Sequence, residues 1–178
     1  MTPADVTCFW EQAGPTRWFF KDAAFDGVLK VRFGQALAAA RNGAFDHWAE
    51  TPEGALGLVI LLDQVSRNIH RGSPLAFAAD RQALRLAKKW VGQGFHQKLP
   101  APRACWFVMP FEHAEDLDAQ HRSVALFGTM GLHDQAHWAQ IHLDIIARFG
   151  RFPHRNAVLG RVSTPEELDF LKAGGFAG

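Results

Sequence analysis

Carboxylates, imidazoles and guanidiniums are the side chains that move protons and hold anions, and in this chain they crowd into three short stretches. The first runs Leu61-Leu62-Asp63-Gln64-Val65-Ser66-Arg67-Asn68-Ile69-His70-Arg71-Gly72. Asp63 ends the most apolar helical run of the sequence, and Arg67 lies one turn beyond it on the same face. A carboxylate buried there is costly unless it is paired and hydrogen-bonded. Two readings follow. The heavier is a structural ion pair that closes a core helix. The other is an Asp63 that orients Arg67 and Arg71 so that their planar forks grip an anionic ligand.

The second stretch is Met109-Pro110-Phe111-Glu112-His113-Ala114-Glu115. Proline starts a helix, so Glu112, His113 and Glu115 fall in a first turn, where the helix dipole alone favours acids. Glu112 and Glu115 are three apart with His113 beside them, a set usable for general acid/base work or metal ligation. The spacing is neither HExxH nor a paired ExxH, so the metal signal is weak and no metal ligand is assigned. The third stretch, Arg148-Phe149-Gly150-Arg151-Phe152-Pro153-His154-Arg155-Asn156, is the densest. Arg148, Arg151, Arg155 and Arg161 fall between Asp144 and Glu166 with no acid among them. Unopposed guanidiniums on a loop solvate, pair with the acids of the second stretch, or bind an anion. Phe149 and Phe152 can anchor that loop in the core. His142, among Trp138 and Ile141 to Ile146, reads as an inward residue, a satisfied core histidine before a catalyst. His133 and His137 read as a surface pair.

The bulk of the chain narrows the chemistry. Its 178 residues, 48% of them hydrophobic, are enough for one domain with a sizeable core. Nineteen basic against eighteen acidic side chains leave +1, without the basic footprint of a nucleic-acid binder. There is no tyrosine, so no tyrosine acts as acid, base or nucleophile. Cys8 and Cys105 have no disulfide or zinc spacing and read as reduced, core-filling thiols of a cytoplasmic protein. The N-terminus shows no signal-peptide pattern, and the longest apolar run, 55–62, is far short of the ~20 residues of a membrane span.

The elements that must position these residues are helices. Thr2-Pro3, Thr51-Pro52, Ser73-Pro74 and Thr164-Pro165 each place a hydroxyl at the N-cap and proline at the first helical position. Glu167 completes a capping box with Thr164. Helices are predicted over about 3–12, 23–41, 52–69, 74–91, a short one before Pro110, 111–130, 133–149 and 165–172. Phe25, Val28, Leu29, Phe33, Leu37 and Ala40 form the predicted buried stripe of the second. No alternating β-branched run is long enough for a sheet. Short connections favour antiparallel neighbours, so the predicted architecture is all-α, an up-and-down stack of helix pairs over residues 1–178. The stretch 150–163 is the one long irregular connection, a form more often functional than filler.

Taken together, LLDQVSRNIHRGSPLAFAADRQAL, PFEHAEDLDAQ and RFGRFPHRNAVLGRVSTPEE resemble the bacterial family known as domain of unknown function 924, from Phe9-Trp10 to the last helix. The resemblance implies a tetratricopeptide-like, α-α superhelical fold and no established activity or cofactor. Ala114 stands where a serine is common in that family, which weakens any nucleophile there.

Three functions are open on these residues. In the favoured one, Asp63, Arg67, Arg71, Arg148, Arg151, His154 and Arg155 form a pocket for a small anionic metabolite, with Glu112, His113 and Glu115 moving protons. In the second, the helices present a concave face to a protein partner. In the third, the motifs are a buried polar network that locks the 150–163 loop in place, which predicts that nearly every partner is matched within the protein.

Overall fold

The hydroxyl-proline pairs do start helices. In the computed structural model, which describes residues 1–176, Oγ1 of Thr2 accepts from the Asp5 N–H, Thr51 from Gly54 and Thr164 from Glu167, at 3.1–3.3 Å. Asp5 returns the bond to the Thr2 N–H at 2.7 Å, so the first helix has a capping box like that of the last. The helices are α1 (Pro3–Ala13), α2 (Pro15–Phe19), α3 (Ala23–Arg41), α4 (Pro52–Val59), α5 (Ser66–Ile69), α6 (Asp80–Gly92), α7 (Ala101–Ala104), α8 (Met109–Glu112), α9 (Leu117–Thr129), α10 (His133–Phe149) and α11 (Pro165–Lys172). No strand occurs among the described residues, and no helix among them is long and apolar enough to cross a membrane.

Three predicted helices are interrupted. The run 52–69 is helical throughout, but Ile60–Val65 between α4 and α5 is wound as a π-helix, a local widening frequent at functional sites. The run 74–91 divides into a 3-10 turn, Pro74–Phe77, capped by Ser73, and α6, which begins at Asp80. The run 111–130 divides after Glu112. Asp116 caps α9 through the Ala119 N–H at 2.9 Å, and Gln120 ties the break with bonds to the carbonyls of Glu112 and Ala114, both 2.7 Å. These are long-range or cap interactions that hydrophobic period does not register.

The central apolar helix earns its central position by burial on every side: residues 55–62 of α4 and the π-helix are all buried. Around it lie Phe25, Leu29, Phe33, Ala36, Leu37 and Ala40 of α3, Trp90 of α6, Phe107 and Phe127. Val28, expected in the α3 stripe, is half exposed, because a 3.6-residue period through 25, 29, 33, 36 and 40 leaves it on the outer flank. Cys105 is buried as expected, but Cys8 is exposed, because α1 turns Val6, Thr7 and Trp10 inward and leaves Cys8 on its outer face. A smaller apolar cluster of Ile145, Ile146 and Phe152 forms where α10 meets the loop after it.

Close approach of α4 to its neighbours depends on two glycines. A Cβ at Gly54 would lie 2.1 Å from the Trp48 carbonyl oxygen, and one at Gly57 would lie 3.0 Å from the Pro3 backbone. Because a backbone oxygen cannot swing away as a side chain does, Gly54→Ala is expected to destabilise the fold by about 1–3 kcal/mol or more. The check is the denaturant midpoint, with the exposed Gly92→Ala as the comparison; equal midpoints in the two variants would contradict the packing described.

Candidate functional site

The π-wound turn brings Asp63 and Gln64 into the interior, where Asp63 is 1% exposed. Its carboxylate accepts from Gln64 Nε2 at 2.7 Å and from His113 Nδ1 at 2.9 and 3.0 Å, and Arg67 Nη1 stands 3.2 Å away. Arg67 also donates to the Asp63 carbonyl at 3.0 Å and holds Asp80, at the start of α6, through two parallel bonds of 2.9 and 3.0 Å. Arg155, buried, reaches the same Asp80 at 3.5 Å, and its guanidinium carbon lies over two rings, 4.7 Å from the Phe77 centroid and 4.3 Å from that of Phe152. Glu112, also buried, is 3.4 Å from His142 Nδ1, which in turn lies 2.8 Å from the Trp138 carbonyl. The first, second and third stretches therefore meet, in a packed network that also draws in Asp80 and His142.

The electrostatics divide these groups into charged and neutral. Burial alone would raise Asp63, but the charge of Arg67 and the hydrogen bonds from His113 and Gln64 hold it at about 2, an ionised carboxylate. Burial and the nearby Asp63 charge push Glu112 up to about 8, so at pH 7 it holds its proton. Burial, then Arg67, lowers His113; burial lowers His142 to about 3; burial, then Arg155, lowers His154 to about 4. The three imidazoles are thus neutral. A carboxylate and a carbonyl can only accept here, so His113 and His142 each carry the proton on Nδ1, and each Nε2 is left with a free lone pair. Burial and the charge of Arg67 bring Arg155 down to about 10, still a cation at pH 7. The Arg155 Nε and His154 Nδ1 atoms are buried without a hydrogen-bond partner.

Not every expected residue joins this cluster. Arg71 pairs with Asp26 of α3 at 2.7 Å, not with Asp63. Arg148 pairs with Glu166, and Arg151 makes a two-pronged bond to Glu167 at 2.6 and 2.8 Å. Glu115 is separated from Glu112 by the end of α8. It takes the Phe152 N–H at 2.8 Å and a fork from Arg161 at 2.6 and 2.8 Å. These pairs clamp the 150–163 loop onto the second stretch and α11, with Phe152 fully buried as its anchor. Of the expected site residues, Asp63, Arg67, Glu112, His113, His154 and Arg155 are gathered; Arg71, Arg148, Arg151 and Glu115 serve the clamp or α3. Asp80 and Phe77 carried no local signal, because their partners lie ten or more residues away. His142 did carry one, the apolar helical face around it.

Among the described residues no three His, Cys, Asp or Glu side chains gather as metal ligands do. Two hollows of about 270 Å³ lie elsewhere, on the outer faces of α6 and α9, around Lys88, Arg122, Arg81 and Arg85.

The comparisons agree with this architecture without supplying a chemistry. The family model described as "Bacterial protein of unknown function (DUF924)" matches residues 6–175. The chain is similar to a solved structure of a protein of unknown function from Agrobacterium tumefaciens, at 43% identity over 97% of each chain and a TM-score of 0.92. No curated protein matches it.

The protonated Glu112 makes stability pH-dependent. Its folded-state pKa of about 8 lies above the ordinary 4.5, so the native state keeps a proton that the unfolded chain releases. That contribution is fully present below pH 4.5 and is lost as pH rises through about 8. Glu112→Gln stays neutral throughout. Between pH 5 and pH 8 the wild type is expected to lose up to roughly 4 kcal/mol relative to that variant in urea titrations. Parallel pH profiles for the two proteins would show that Glu112 ionises in the ordinary range.

Proposed function

We propose that this chain, which belongs to the bacterial family of unknown function DUF924, binds a small carboxylate- or phosphate-bearing molecule at the buried cluster and transfers a proton there. The observation that carries this reading is the Asp63–His113 hydrogen bond. An ionised carboxylate accepting from Nδ1 fixes the imidazole tautomer and makes Nε2 the basic atom, the arrangement a general base requires. Beside it Glu112 is a carboxyl that still has its proton at neutral pH. Two titratable groups with opposed protonation in one site are the usual sign of a base and an acid working together.

Arg155 supports the anionic half of the reading. It makes one long contact to Asp80, its Nε is unpartnered, and two aromatic faces hold it rigid. A carboxylate or phosphate would supply the acceptors that the buried guanidinium lacks. Within the cluster Asp63 and Asp80 balance Arg67 and Arg155, so an entering anion adds uncompensated negative charge. Protonation of His154, which burial and Arg155 keep neutral at pH 7, restores the balance and leaves His113 as the base. Affinity is therefore expected to rise as pH falls from 8 to 6.

A second reading, that the motifs are structural throughout, is favoured by the outer arginines Arg71, Arg148, Arg151 and Arg161, each of which has its carboxylate. Thermal shift and calorimetry with inorganic phosphate, acetate and succinate separate the two. At 100-fold excess over Kd a bound anion is expected to raise Tm on the order of 5 °C, with proton uptake. Arg155→Met is expected to abolish that response while leaving a folded protein. If none of the three anions shifts Tm or produces heat at millimolar concentration, the structural reading stands and the proposed one falls.

A further inference from the structure

The segment after α11 ends its described course with a phenylalanine lying on the polar cluster. Phe176 packs against the small apolar group of Ile145, Ile146 and Phe152. Its ring centroid is 4.5 Å from that of His142, 5.3 Å from His154 and 6.4 Å from Trp138, meeting both imidazoles edge to face. His142 is the residue against Glu112, and His154 adjoins Phe152, whose ring carries Arg155. The phenyl group therefore sits at the wall shared by the proposed acid and the proposed anion holder.

Two features set Phe176 apart from an ordinary core anchor. The first is how it is held. Gly174 has φ +81°, and a Cβ on Gly175 would stand 2.5 Å from the Phe170 ring, so the glycines let the segment turn back and pass tightly over Phe170. The last backbone hydrogen bond of the segment among the described residues is Gly175 N–H to Phe170 O, one residue before the phenylalanine. The ring is delivered by two glycines and lies beyond the last of these bonds. The second is a mismatch of chemistry. His154 Nδ1 is buried without a partner in the wall that Phe176 covers, and a hydrocarbon ring cannot satisfy it. Trp138, the third ring, is half exposed, so the outer side of this wall is open to solvent.

We infer that Phe176 fills a subsite for an aromatic ring, and that the ligand of the cluster is an aromatic carboxylic acid. Its ring replaces the Phe176 side chain among Trp138, His142 and His154, and its carboxylate reaches Arg155 or the unpartnered His154. The inference rests on the anion-binding reading above and adds the apolar half of the ligand. It also explains why the cluster is covered: the chain's own phenyl group keeps water from the imidazoles until a ligand ring displaces it.

The test compares acetate, phosphate and phenylacetate on the wild type, Phe176→Ala and Phe176→Leu by calorimetry, with circular dichroism to confirm folding. Phe176→Ala empties the subsite and is expected to bind phenylacetate about tenfold or more tighter than acetate, the gain of burying one ring. Phe176→Leu keeps the space filled and is expected to show a preference close to the wild type's. If phosphate or acetate binds but phenylacetate gains nothing over acetate in Phe176→Ala, the aromatic subsite is overturned while anion binding stands. If none of the three binds any variant, the anion-binding reading itself fails. Should Phe176→Ala not fold, the wild type still decides. Saturating phenylacetate, but not acetate, is expected to speed hydrogen exchange of the 174–176 amides, and unchanged exchange with phenylacetate bound overturns the displacement.

Discussion

A carboxylate buried at the end of the central helix must be neutralised on all sides, and the rest of this structure is arranged around that requirement for Asp63. Taking an ionised carboxyl out of water costs several kcal/mol unless charge and hydrogen bonds replace the water. Gln64, His113 and Arg67 do so from three directions. Each partner then imposes a demand of its own. Arg67 carries more donors than Asp63 can use and takes Asp80, which fixes the start of α6. Asp80 faces Arg155, which brings in the loop after α10. His113 reaches Asp63 from the C-cap of α8, directly after the buried Glu112.

The arginines consequently divide into two sets with different physics. Arg71, Arg148, Arg151 and Arg161 lie partly in solvent and each meets a carboxylate in good geometry, so they act as clamps whose individual contributions are modest. Glu167 shows how thoroughly the clamp is shared: it caps α11, accepts the Arg151 fork and takes Asn156 Nδ2 at 3.1 Å. Those bonds, the Arg151 fork first, hold it at about 2. Arg155 belongs to the other set. It is buried against Phe77 and Phe152, and its Nε makes no hydrogen bond.

That division has a consequence for how the cluster could act. The clamp makes the wall of the site rigid, because Phe152 is fixed by its backbone bond to Glu115 and by the Arg161 contacts at 2.6–3.2 Å around it. His142 and His113 are oriented through Nδ1 by acceptors that belong to the scaffold, a helix carbonyl and a buried carboxylate. A neutral His113 in a fixed tautomer beside a protonated Glu112 is the preorganisation that the proposed proton transfer requires. The Gly174–Phe176 segment covers His142 and His154 from the other side.

Helix existence and many of the boundaries were legible in the chain itself, because caps and prolines act on the next three residues and need nothing else. Thr2, Thr51, Ser73 and Thr164 each accept the bonds their position implies, and α3, α10 and α11 begin and end where their local patterns predict. Convergence of the three motifs was likewise readable, since each joins costly polar groups to core-forming residues. Which arginine would be clamped and which left with spare donors was not. Arg151 and Arg155 are four apart on one loop and look alike in sequence, and their fates were decided by Glu167 and Asp80, 16 residues downstream and 75 upstream. The same holds for Glu112 and Glu115, which period places together and a cap at Asp116 separates. By itself the sequence determined an all-helical chain with its polar chemistry in three places. Only the tertiary structure decided which of those groups are charged, because burial and the nearest opposite charge set a proton's affinity, and neither is a local property of the chain.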